Sequence, residues 1–138
     1  MIKREELFTP ILEACPSFQL TWDEFVAEWK DDPDEMPQYL ALADLARHVI
    51  GMLERDDKVG VKAIFDVVER WHLDGDPYVK EAATVGFLED LQNTGLHEGR
   101  TTPDDFVIFL QPETKHWWLK VGEFWDQGKL ITDDRPRH

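Results

Sequence analysis

Cysteine and serine are almost missing from this chain, and each is present only once, as Cys15 and Ser17. A single cysteine excludes an intramolecular disulfide and a zinc site built on several thiolates. Cys15 falls on the apolar face of a predicted helix, where a thiol is typically a small buried hydrophobe. Ser17 lacks the Gly-x-Ser-x-Gly pattern of a nucleophile elbow. The sequence therefore predicts no nucleophilic catalysis at either residue.

Long apolar runs and positive charge are also scarce. No stretch approaches the roughly 20 apolar residues that a membrane-spanning helix needs, and the first residues lack the apolar run of a signal peptide. The 15 Lys and Arg are outnumbered by 29 Asp and Glu, which gives a formal net charge of −14. Such a field repels nucleic acids and anionic membranes and attracts basic proteins, although acidity also serves solubility. We expect a cytoplasmic protein without a nucleic-acid or membrane partner.

Strand-like alternation is absent, whereas apolar residues at helical spacing recur along the chain. The two most regular stripes are Leu42, Leu45, Ala46, Val49, Ile50 and Leu53, and then Val61, Ile64, Phe65, Val68 and Trp71. Six Trp and eight Phe supply large side chains for a core. The pattern predicts one all-α domain over residues 1–138, folded as a compact bundle of about six to seven helices.

Several helix boundaries carry capping signals. Thr21 begins a capping-box sequence, and Asp76, which precedes a proline, is typical of a helix N-cap. A last helix is expected to start at Pro112 and to end at Gly128. The tail that follows is expected to be frayed.

Two acidic segments interrupt the helical pattern and are the predicted contact points for a basic partner. Exposed carboxylates steer an oppositely charged protein, and an exposed aromatic side chain anchors it. Trp117 and Trp118 are adjacent, so both are buried only if their helix packs on two sides. Burial is the usual fate of tryptophan, and Trp118 is our candidate anchor if one of the two is exposed. The predicted partner-binding residues are Asp31, Asp32, Asp34, Glu35, Asp74, Asp76 and Trp118.

Metal and cofactor chemistry has one weak candidate. The spacing His72-x-Asp74-x-Asp76 places possible ligands in a turn, but the rest of a calcium-binding loop is missing. Helix capping alone explains Asp76. Glycines are scattered and form no phosphate-binding loop. We therefore predict no metal site, no cofactor and no catalytic residue.

Helical spacing places the carboxylate of Asp90 beside an apolar stripe. A carboxylate there needs a hydrogen bond or an ion pair, and a tether to Arg100 in the following loop is the simpler interpretation. The alternative is a catalytic acid that works with His72 or His97, since perturbed carboxylates also occur in active sites.

The segment Asp76-Pro77-Tyr78-Val79-Lys80-Glu81-Ala82-Ala83 resembles the start of the inner helix of a HEAT repeat. The resemblance extends over about one helical hairpin, Val59 to Leu91, with no second copy at repeat spacing. The longer string that runs from Gly75 to Asn93 also resembles a family of small bacterial helical proteins that look like immunity proteins of toxin systems. These resemblances imply a HEAT-like helical hairpin, a protein-binding role and no catalytic residue to carry over.

Three functional hypotheses follow. The first is a non-catalytic protein-binding domain, an immunity protein that neutralises a basic toxin. The second is a small enzyme with a carboxylate and histidine site around Asp90. The third is a structural adaptor that uses its aromatic C-terminal helix.

Overall fold

The computed structural model describes residues 1–136, and within this range the chain is all-α, as predicted. The helices are α1 (Thr9–Ala14), α2 (Gln19–Glu28), α3 (Gln38–Glu54), α4 (Lys58–Asp74), α5 (Pro77–Glu81), α6 (Glu89–Gln92) and α7 (Pro112–Gln127). A π-helix, Ala82–Leu88, joins α5 to α6. The 3₁₀ helices are Arg4–Glu6, Pro16–Phe18, Pro33–Glu35, Thr94–Leu96 and Pro103–Phe109.

Helix α2 begins three residues earlier than its capping sequence suggests. Thr21 lies inside α2 and is not its N-cap, so that prediction is wrong. The chain enters α2 directly from the 3₁₀ helix Pro16–Phe18, and Phe18 already has helical backbone angles (φ −85°, ψ −10°). Phe18 is buried in the core, and this burial fixes the turn ahead of Thr21.

The core lies between α3, α4, the α5–α6 segment and α7. The predicted stripe of α4 is buried along its whole length, and that of α3 is buried except at Leu53, which is partly exposed. Asp57 accepts the Gly60 N–H at 3.0 Å and caps α4. Trp71 is fully buried, and its indole N–H donates to the Leu7 carbonyl at 3.1 Å. This bond fixes the N-terminal segment (residues 1–8) against α4.

A π-helix interrupts the segment that the sequence predicts as one regular helix. The backbone angles remain helical through both junctions, and the Glu89 N–H donates to the Thr84 carbonyl five residues back. Six of its seven residues are buried: Ala82, Ala83, Thr84, Gly86, Phe87 and Leu88. Burial on almost every side is possible because α3, α4 and α7 all pack against this turn. A π-turn in mid-helix is rare and frequently lies at a functional site.

Helix α7 completes the bundle, and both its predicted ends are confirmed. It runs from Pro112 to Gln127 and ends at Gly128, which has the left-handed conformation (φ 67°) that favours glycine. Thr114, Trp118 and Val121 are buried. Their i, i+4, i+7 spacing defines the inner face of the helix.

Two consecutive helical segments occupy Val59 to Leu91, where the sequence predicts a hairpin. Their likeness to a HEAT repeat stays a prediction. No helix among residues 1–136 has the length and apolar character needed to cross a membrane.

Candidate functional site

Five of the predicted partner-binding carboxylates are exposed. Asp31, Asp32, Asp34 and Glu35 lie between α2 and α3, around the short 3₁₀ helix Pro33–Glu35, and Asp74 ends α4. We call these five residues the acidic face. Residues 31–35 lie outside the core because they include no large apolar side chain that burial would stabilise.

Asp76 has a structural role that uses both carboxylate oxygens. One oxygen accepts the Val79 N–H at 2.8 Å, which confirms the predicted N-cap of α5. The other accepts the Arg4 N–H at 3.1 Å. The carboxylate therefore joins the N-terminal segment to α5, and its charge is already partnered.

The N-terminal segment contacts both the end of α4 and the start of α3. Ile2 bonds to the backbone on both sides of Gly75, through the Asp74 carbonyl and the Asp76 N–H, each at 2.8 Å. Two residues further on, the Arg4 carbonyl accepts a bond from the Gln38 side chain at 3.2 Å. The backbone around Gly75 and the start of α3 are about 40 positions apart in the sequence, and both contact residues 2–4.

A cavity of about 530 Å³ is lined on one side by Arg4 and Glu5 of the N-terminal segment. Its apolar wall includes Phe8 and Trp22, whose rings stack with centroids 4.4 Å apart, together with Met36. Arg4 and Asp34 stand at its polar side. The arrangement is a pocket with an apolar wall and a charged side, and Asp34 is the residue of the acidic face that lines it.

Trp118 does not have the exposed position that an anchor requires. Only 6% of it is exposed, because it lies on the inner face of α7, and its carbonyl accepts a bond from the Gln92 side chain at 2.8 Å. Trp125 is the exposed tryptophan, at 48%. It lines a groove of about 650 Å³ along α7, whose rim carries Asp104 and Glu123.

The most organised polar site is a buried chain of four hydrogen-bonded side chains. The sequence does not predict that these four residues meet. Glu69 of α4 accepts the hydroxyl of Thr114 at 2.8 Å. The Thr114 oxygen then lies 3.1 Å from Nδ1 of His72, and Nε2 of His72 lies 2.9 Å from the Thr84 hydroxyl. Because the Thr114 proton is donated to Glu69, Nδ1 carries the ring proton and Nε2 accepts from Thr84. The chain ties α4, α7 and the π-helix together.

Burial lowers the pKa of His72 to about 4, against the opposing effect of the Glu69 and Glu113 carboxylates. The imidazole is therefore neutral at physiological pH, which suits the hydrogen-bond directions above. The sequence offered one signal for this site: Glu69 and His72 are polar residues three apart that border an apolar stripe.

The C-terminal strap (residues 129–136) lies against α7, which contradicts the predicted frayed tail. Arg135 bonds to both carboxylate oxygens of Glu113, at 2.6 and 2.9 Å. Lys120 pairs with Asp134 at 2.8 Å, and Asp133 lies 3.5 Å from His116. The strap is held because its charges are complementary to those on α7.

A cleft of about 470 Å³ lies between the strap and the buried polar chain. His72 and Thr84 line its floor, Trp117 stands at one side, and Arg135 lies on the strap side. The floor of the cleft thus carries the neutral imidazole of His72, with both ring nitrogens hydrogen-bonded, and its entrance carries charged side chains.

Asp90 is half-buried but is not tethered as predicted. Arg100 instead donates to the Glu54 carbonyl at 3.4 Å. Burial raises the pKa of Asp90 to about 6, and the Glu89 carboxylate adds to this, whereas Arg47 opposes it. Both ring nitrogens of His97 are bonded elsewhere, to the Leu91 carbonyl at 2.8 Å and the Thr101 hydroxyl at 3.0 Å.

Ser17 has an imidazole partner, since its hydroxyl lies 2.8 Å from Nε2 of His48. Cys15 lies 3.3 Å from the same hydroxyl. Ser17 is exposed, and none of the three cavities described above is lined by this pair. Among residues 1–136, no three His, Cys, Asp or Glu side chains are arranged to hold a metal ion.

No curated protein and no solved structure matches the chain. Residues 8–126 match the family described as a domain of unknown function, DUF7674. The match starts at the end of the N-terminal segment and ends in the last turn of α7, so it includes the acidic face and the buried polar chain. The chain belongs to the DUF7674 family.

Proposed function

We propose that this protein binds a basic protein partner through the acidic face. The observation that carries the proposal is that the N-terminal segment contacts Asp74 through Ile2 and the start of α3 through Arg4, and lines a pocket that also includes Asp34. A pocket with an apolar wall and the carboxylates of Glu5 and Asp34 in its lining suits a lysine or arginine side chain, whose stem is apolar and whose end is charged.

The net charge of −14 supports the same proposal. A strongly acidic protein attracts a basic one over long range, and the association rate then falls as salt screens the field. The resemblance to immunity proteins makes a cytoplasmic toxin enzyme the partner that we favour, and the HEAT-like hairpin would then serve as the rigid support of the acidic face.

The proposal is tested by co-expression with the product of the adjacent gene, followed by calorimetry at low and high salt. We expect a complex whose affinity falls with salt, together with protection of cells if the partner is toxic. Neutralising Asp31, Asp32, Asp34 and Glu35 to their amides should weaken binding at least about tenfold, since buried or close charge pairs in such interfaces are worth more than 1.4 kcal/mol.

A matched control removes four other acidic charges: Glu98, Asp104, Glu123 and Asp126 to their amides. Both variants have the same net charge, so a general field effect weakens both equally. Equal loss in the two variants would contradict a specific role for the acidic face. A larger loss in the control would move the interface to the groove beside Trp125. The absence of any salt-sensitive complex would reject the proposed function.

An enzyme that uses Asp90 is the second candidate. Its support is the raised pKa of Asp90, which keeps part of the carboxyl population protonated near pH 6. A hydrolytic activity that is lost in Asp90→Asn would establish it, and an activity that survives this change would exclude it.

A further inference from the structure

Arg135 of the strap occupies a site with the features of an arginine-binding site. The Arg135 guanidinium forms two hydrogen bonds with Glu113 and lies 6.0 Å from the centre of the Trp117 ring. Paired bonds to a carboxylate and an aromatic face are the two contacts that distinguish guanidinium from ammonium recognition. We call Glu113 and Trp117 the clamp.

The clamp is held in place by contacts that do not involve the strap. The Trp117 indole N–H donates to Glu113 at 3.2 Å, which fixes the two side chains relative to each other. The Glu113 backbone N–H donates to Glu69 at 3.1 Å. Because Glu69 is buried, the first turn of α7 is fixed to the core. The clamp should therefore keep its shape when Arg135 leaves it.

The strap itself is held more weakly. Arg135, which pairs with Glu113, is 41% exposed, and Asp134, which pairs with Lys120, is 71% exposed. Ion pairs at such exposure contribute little to stability. Ile131 is the hydrophobic residue of the strap that packs against the core, and it is only partly buried. The strap is thus a segment that a competing ligand can displace at small cost.

We infer that the clamp is a docking site for an arginine side chain of a basic protein partner, and that Arg135 occupies it in the free protein. The inference rests on the proposed function, because it requires a basic partner. Displacing the strap frees Glu113 and opens the cleft that leads to His72 and Thr84. The incoming arginine replaces the contacts that Arg135 makes, so the charge on the clamp stays compensated.

The test uses full-length protein and N-acetyl-arginine amide as the probe, with the Trp117 indole N–H observed by NMR. In Arg135→Ala the clamp is empty, and we expect a saturable shift of this signal. In the unchanged protein Arg135 competes as an intramolecular ligand, so we expect the probe to bind about two- to fivefold more weakly. N-acetyl-lysine amide should bind several-fold more weakly than the arginine probe.

Two further variants make the result specific. Glu113→Gln added to Arg135→Ala should abolish the arginine preference, whereas Lys129→Ala, a change elsewhere in the strap, should behave as the unchanged protein. Glu113→Gln should fold, because the bond from this residue to Glu69 uses the backbone N–H. No saturable shift in Arg135→Ala, equal binding of lysine, or an arginine preference that survives Glu113→Gln would each overturn the inference.

The probe experiment needs no partner, so its failure leaves the proposed function standing. Conversely, the clamp can bind the probe even if the adjacent gene product does not associate. If both hold, Arg135→Ala should raise the affinity for the partner, and Glu113→Gln should lower it.

Discussion

The carboxylate of Glu69 caps a helix to which it does not belong. It accepts the Thr114 N–H at 2.8 Å and the Glu113 N–H at 3.1 Å, at the start of α7. The residue at the N-cap position, Gln111, forms no capping bond of its own. A negative charge at a helix N-terminus is also favoured by the helix dipole.

We predict that Glu69→Ala lowers the free energy of unfolding by about 2–3 kcal/mol, since it removes charged hydrogen bonds and leaves buried donors unpaired. Urea denaturation measures the change. Glu123→Ala, on the outer part of the same α7, should cost less than about 0.5 kcal/mol. Similar losses in the two variants would contradict the capping role.

The lowered pKa of His72 predicts a dependence of stability on pH. The folded protein holds this imidazole neutral down to about pH 4, whereas the unfolded chain takes up a proton near pH 6.5. The unfolded state therefore binds more protons between these values. The contribution of His72 is complete above about pH 6.5 and is lost as the pH falls towards 4, by on the order of 3 kcal/mol. His72→Gln should flatten this part of the stability curve.

Protonation of Asp90 has the opposite effect on the stability of the fold in nearly the same pH range. Its pKa is raised to about 6 in the folded protein, so the folded state takes up a proton first as the pH falls, and acidification favours folding at this site. At neutral pH the charged form is destabilising. We expect Asp90→Asn to raise the stability at pH 7 by less than about 1 kcal/mol, because solvent screens a half-exposed group. A loss of stability at pH 7 would show that the carboxylate has an essential partner.

Gly75 lies at a backbone crossing that leaves no room for a side chain. A Cβ atom there would come within 2.4 Å of the Trp71 carbonyl oxygen and 2.6 Å of Val79 Cγ1. We predict that Gly75→Ala costs at least about 2 kcal/mol, measured by thermal or urea unfolding. Gly128→Ala is the comparison, since nothing lies within 4 Å of its Cβ and only the left-handed backbone opposes the change, by about 1 kcal/mol. A smaller loss for Gly75→Ala would contradict the close approach.

Local signals in the sequence predicted much of the helical framework. The cap at Asp76, the glycine at position 128 and the stripe of α4 each depend on residues within one or two turns, so they can be recognised without knowledge of the fold. The start of α2 was missed because the burial of Phe18, a tertiary contact, outweighed the capping sequence at Thr21.

The candidate site was harder to predict because its contacts join distant parts of the chain. Glu69 meets Thr114 across 45 positions, and Arg135 meets Glu113 across 22. The wide turn that presents Thr84 to His72 also has no sequence signature that distinguishes it from a regular helix. The acidic segments are recognisable from composition alone, and their role in binding a partner stays a prediction.

The bond from the Arg4 N–H to Asp76 spans 72 positions, and it bears on the order in which the chain folds. Closing so long a loop costs more entropy than forming the local contacts of α3, α4 and α5, so the local contacts should form first. The N-terminal segment should dock late, onto helices that are already packed. Until it does, the pocket that Arg4, Glu5 and Phe8 line is incomplete, and the surface that we assign to the partner is assembled only in the last stage of folding.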